Sequence, residues 1–139
     1  MVVLLALTLT ACSSDPAEDY CAAVEEHQRE LTELTAEGGP DALLGALGVF
    51  RDLQDRAPSD ITDEWQQVVG RLDALGEALE EAGVDPASYD RDDPPADLDA
   101  ADRSRIEAAA KELVTPETAA ALEGLQQQAR DVCKTPLTL

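Results

Sequence analysis

Aromatic side chains are nearly absent from this 139-residue chain, where Tyr20, Phe50, Trp65 and Tyr89 make up 3%. Hydrophobic residues still reach 44%, mostly Ala and Leu, which argues against compositional disorder. An apolar content poor in aromatic and β-branched residues favours helices over sheets. Basic residues are scarce as well, 10 against 30 acids, for a net charge of −20. Binding to nucleic acid draws on counterion release by Lys and Arg, and that contribution is here repulsive. The same field opposes contact with anionic headgroups. Neither nucleic acid nor a polybasic membrane contact is therefore expected, and the length suits one domain with its own core.

Reactive groups are equally sparse. No Gly-x-Ser-x-Gly elbow occurs, and the serines (13, 14, 59, 88 and 104) fall in tether, cap or linker settings. Gly38-Gly39 and Gly45/Gly48 lack the Lys and the spacing of a phosphate loop. His27, the one histidine, falls on an inward helical stripe and reads as a partly buried packing residue, since a transition metal needs further converging ligands. Trp65 reads as a core anchor. Chance pairs among 30 acids say nothing of glycoside hydrolysis. No catalytic, cofactor or metal residue is assigned, and no enzymatic activity is expected.

Acids crowd one stretch, with Asp85, Asp90, Asp92, Asp93, Asp97, Asp99 and Asp102 in close succession. Hard cations favour such oxygens, but a calcium loop needs a Gly at its sixth position and a Glu at its twelfth. Counted from Asp90, Pro95 takes the sixth place, and no start within the cluster supplies the Glu. Residues 85–97, DPASYDRDDPPAD, read instead as an exposed, solvated linker.

The N-terminus has the character of an address. Val2 to Leu9 is apolar, too short to span a bilayer, and suited to the core of a secretory signal. Such leaders open on Lys or Arg, and here only the Met1 amine precedes the run. It ends in Leu9-Thr10-Ala11-Cys12, followed by the polar Ser13-Ser14-Asp15-Pro16. This resembles the lipobox of bacterial lipoproteins. The Ala, Leu, Asp and Glu richness, eight Arg against two Lys, and Cys near both ends look like small secreted lipoproteins of high-GC actinobacteria. The resemblance implies removal of the leader, acylation of Cys12 and anchoring at the extracytoplasmic face of the cell membrane. It implies no activity. With Cys12 lipidated, Cys21 and Cys133 remain, and an oxidising compartment would pair them. That bridge would close a loop worth about 4–5 kcal/mol in a chain-entropy treatment, often less in practice.

Helical periodicity runs through the rest. Asp15 and Pro16 open a first helix with Tyr20, Val24, His27, Leu31 and Leu34 in line, ended by Gly38-Gly39-Pro40. A second is expected from about 40 to 57, with Leu43, Leu47, Phe50 and Leu53 inward, Leu44 beside them, and Gly45 and Gly48 weakening it. The third carries Ile61, Trp65, Val68, Leu72, Leu75, Leu79 and Ala82, with Gly83 as its C-cap. A fourth, capped by Asp97 or Asp99, runs to Leu113 with Leu98, Ile106 and Ala109 inward. Thr115-Pro116-Glu117 kinks or restarts the chain into a last helix bearing Leu122, Leu125, Ala129 and Val132.

The expected organisation is a signal peptide over 1–11, a lipidated Cys and tether over 12–15, one helical domain over 16–134, and a tail over 135–139. The expected fold is all-α, a four- to five-helix antiparallel bundle closed by one disulfide between the terminal helices. The functional expectation is a non-catalytic envelope lipoprotein that binds a protein or small ligand. The alternatives are a carrier of an apolar molecule in an inter-helical cavity, given space by Gly45, Gly48, Gly70 and Gly76, and an enzyme, which nothing favours.

Overall fold

A computed structural model describes residues 15–36 and 38–139, so the leader and the lipidation site at Cys12 lie outside the described residues. The described residues hold six α-helices and no strand: α1 (Pro16–Thr35), α2 (Gly39–Gly45), α3 (Leu47–Arg56), α4 (Thr62–Glu81), α5 (Ala100–Glu112) and α6 (Pro116–Gln128). Cys21 and Cys133 form a disulfide, with their Cα atoms 5.0 Å apart.

Local chemistry sets the helix ends. Asp15 Oδ1 accepts from Ala17 N at 3.0 Å at the head of α1, and Pro16 occupies the first helical position. Of the two candidate caps for α5, Asp99 serves, accepting from Asp102 N at 2.8 Å. Thr115 caps α6 ahead of Pro116. Gly83 ends α4 at φ +73°, with Gly83 N bonded to Glu80 O and Val84 N to Leu79 O, both at 2.9 Å. Those paired bonds and the left-handed glycine are the Schellman arrangement.

The expected continuous helix over 40–57 is instead two. Ala46 sits at φ −85°, ψ −4°, and its N–H reaches both Ala42 O and Leu43 O as α2 closes. Flanking Gly45 and Gly48 make a break cheap, because each weakens a helix by about 1 kcal/mol against Ala. The break also changes which side chains enter the core. Leu44, Ala46, Val49, Phe50 and Leu53 are buried, while Leu43 and Leu47 are half-buried.

α4 packs against α3, α5 and α6, and α1 packs against α2, α3 and the turn that follows α6. Trp65 of α4 is fully buried between Tyr20 of α1, edge-on with centroids 6.4 Å apart, and Phe50 of α3 at 5.7 Å. Three of the four aromatics thus join three helices, an arrangement that adds to the stabilisation from their burial alone. Thr118, also fully buried, donates to Glu112 O at 2.8 Å and accepts from Gln67 Nε2 at 3.2 Å, tying the α5–α6 corner to α4.

After Gln128 the chain continues as a π turn over Ala129–Cys133 and stops at Lys134, φ +59°. Val132, expected on the inward line, is 47% exposed, and Cys133 turns toward α1 in its place. Residues 135–139 then lie back along α1. Gln28 Nε2 donates to Pro136 O at 2.7 Å, Leu139 N donates to Thr32 Oγ1 at 2.9 Å, and Leu137 is buried. Among the described residues no helix is long and apolar enough to cross a membrane.

Candidate functional site

Trp65 is an anchor of the core, as its place on the apolar stripe suggests. Burial pushes the Tyr20 hydroxyl up to about 12. Neither Tyr20 OH nor Trp65 Nε1 has a hydrogen-bond partner among the described residues.

His27 lies between α1 and α3, its side chain 20% exposed. Its Nε2 is 2.9 Å from Asp52 Oδ2 and its Nδ1 is 3.4 Å from Glu30 Oε2. Arg56 Nη2 donates to the other oxygen of Asp52 at 3.1 Å. The His27 bond, with help from Arg56, holds the Asp52 carboxyl below the usual carboxylate range. Among the described residues the imidazole bonds to the Asp52 and Glu30 carboxylates and to no Ser, Thr or Cys side chain. The cluster is an inter-helix clamp. Sequence periodicity placed His27 but not Asp52, whose only local signal is its helical pairing with Arg56.

The Asp-rich segment folds over the end of α4. Pro86–Ser88 form a 3-10 turn capped by Asp85, whose Oδ1 accepts from Ala87 N at 3.0 Å. Asp90 Oδ1 accepts from Asp92 N at 2.8 Å. Asp99 is held low first by its bond from the Asp102 backbone, and Asp102 pairs with Arg105. Between these loops and Ala82–Val84 is an open cavity of about 330 Å³ lined by Asp85, Asp90, Asp93, Asp97, Asp99 and Asp102. Much of its carboxylate capacity goes to capping backbone N–H groups. Among the described residues no three His, Cys, Asp or Glu side chains converge to hold a metal. Tyr89, inside the segment, packs against the core, and burial raises its hydroxyl.

A second surface feature lies along the outer face of α5. One cleft of about 220 Å³ is lined by Pro40, Arg91, Glu107, Ala110, Lys111 and Val114. A smaller one of about 130 Å³ adjoins it, sharing Arg91 and Glu107 and adding Arg103, Tyr89, Pro94 and Leu98. Its signal in the sequence is a second helical stripe, 103-107-110-111-114, offset from the inward line of α5. The glycines give no comparable feature. Gly48 and Gly70 are exposed, and an added Cβ at Gly48, Gly70 or Gly76 would meet nothing within 4 Å, so they mediate no close helix approach.

No family model, curated protein or solved structure matches the chain.

Proposed function

We propose that this is an exported lipoprotein, tethered through Cys12 to the extracytoplasmic face of a bacterial membrane, whose helices form an antiparallel bundle acting as a non-catalytic binding module. The observation that carries the reading is the Cys21–Cys133 disulfide. It takes up two of the three cysteines and leaves only the one that ends the lipobox-like Leu9-Thr10-Ala11-Cys12. A bridge of this kind belongs to an oxidising compartment. The packing of α4 against α3, α5 and α6, and of α1 against α3, supports the bundle. A groove between the outer face of α5, Pro40 and the 89–94 loop supports a binding role.

The test is expression of the full chain in a bacterial host, followed by intact-mass measurement of detergent-extracted protein. A chain beginning at Cys12 with an acyl mass, and a Cys12→Ala variant released from the membrane fraction, is the expected result. An unprocessed chain or equal membrane retention of the variant would overturn the anchor. In-membrane crosslinking that enriches no partner and no small ligand would count against the binding role.

A further inference from the structure

Resting on the reading of this domain as a binding module, we propose that the outer face of α5 is the binding site, and that its ligand is a single-chain anionic amphiphile, an alkyl chain with a carboxylate or phosphate head. The floor is apolar: Pro40 is buried, Ala110 is half-buried, and Val114 is 70% exposed, among the most open large hydrophobic side chains described. Its rim is basic. Arg91 and Lys111 line the larger cleft and Arg103 the adjoining one, three of the chain's ten bases within one groove.

Charge complementarity selects the occupant. The chain carries −20, yet Arg91, Arg103 and Lys111 have no ion-pair partner among the described residues, as is also so of Arg29, Arg130 and Lys134 elsewhere, whereas Arg51, Arg56, Arg71 and Arg105 each hold a carboxylate. Among the described residues Glu107 is the one acid lining the groove. Asp90, Asp92 and Asp93, which flank Arg91 in sequence, line other cavities of the molecule, one of which Arg91 shares with Asp90 and Asp92. An anion in this groove therefore meets an excess of positive charge, while an anionic bilayer would face the whole acidic surface.

Size selects a single chain. The larger cleft has room for about seven waters at ~30 Å³ each, and the adjoining one extends it. From Arg103 to Lys111, α5 rises about 12 Å, the reach of a medium-length alkyl chain. A partner helix, about 10 Å across, needs a far wider seat. In the bound state the alkyl chain lies on Pro40, Ala110 and Val114, and the head sits between Arg91 and Lys111.

The test titrates decanoate into the full, disulfide-bonded chain, followed by calorimetry and by amide NMR shifts. Saturable binding of one decanoate per chain is expected, with shifts centred on residues 91 and 107–114. The Arg91→Gln/Lys111→Gln double variant should weaken it at least about tenfold, decanol should bind weaker by a similar factor, and Val114→Asp should remove binding. These side chains are exposed, and an unchanged amide spectrum of each variant elsewhere verifies its fold. An unsaturable titration overturns the proposal, as do variants that titrate like the parent. So does a groove taken by an acidic amphipathic peptide that decanoate cannot displace, which would make the ligand a protein. A chain that is acylated at Cys12 and crosslinks to a partner, but ignores decanoate, loses this inference and keeps the broader reading. Decanoate binding without acylation does the reverse.

Discussion

His27 Nε2 meets Asp52 Oδ2 at 2.9 Å, and this bond links the middle of α1 to α3 across a break that separates α3 from α2. Asp52 is thereby stabilised as the carboxylate, first by His27 and then by Arg56. A carboxyl whose folded-state pKa is depressed adds stability above its unfolded pKa of about 4, and loses that contribution as pH falls through the lower folded value. Asp52 is more than a third exposed, so solvent screening discounts the effect to on the order of 0.5 kcal/mol. Asp52→Asn should be slightly less stable than the parent near neutral pH and should converge with it in acid. Urea melts across that range check this; parallel curves would show that the clamp stores no charge-dependent energy.

Gly70 within α4 and Gly83 just past its end predict opposite signs for one substitution. Gly70 is exposed within the helix, and a Cβ there meets nothing within 4 Å, so Gly70→Ala should stabilise by roughly 0.5–1 kcal/mol. Gly83 has equally open space but sits at φ +73° in the closing turn of α4. Gly83→Ala should cost about 1 kcal/mol or more, because the left-handed conformation brings Cβ against the backbone. Urea midpoints that shift the same way for both would refute the account of that turn.

Loss of the disulfide tests the largest single constraint. Cys21→Ser with Cys133→Ser should lower stability by roughly 2–5 kcal/mol, since a bridge spanning 112 positions removes much freedom from the unfolded chain. Comparing reduced and oxidised parent protein measures the same contribution without a substitution. Equal melting of the two would mean that the bridge contributes nothing to the fold.

Leu137 gives the fourth prediction. It is 4% exposed within the last five residues, which return along α1 through the Gln28 and Thr32 bonds. Leu137→Ala should cost about 2–3 kcal/mol and speed amide exchange in the turn around Cys133. A neutral substitution would mean that the tail hangs free.

Much of the helical framework was legible residue by residue. Asp15-Pro16, Thr115-Pro116 and Gly83 mark helix ends because capping and left-handed turns depend on local chemistry alone. The α4 stripe from Trp65 to Leu79 was equally plain, since a long, regular period leaves one face to bury. The 40–57 segment was not, because apolar residues at several offsets fit more than one face, and only packing against α1 and α4 chose Leu44 and Val49 over Leu43 and Leu47. The α5 groove was hidden for a related reason. Its stripe is short and mixed in polarity, and its walls, Pro40 and the 89–94 loop, are far away in sequence.

The sequence by itself determined the all-helical class, the ends of most helices and the acidity of the surface, because each follows from near-neighbour chemistry and composition. Tertiary structure alone decided that His27 meets Asp52, that Val132 turns outward, that Leu137 completes the core, and that Arg91 joins Arg103 and Lys111 beside α5. These pairings join residues tens of positions apart, and they depend on how rigid helices settle against one another to exclude water, which local preference does not encode.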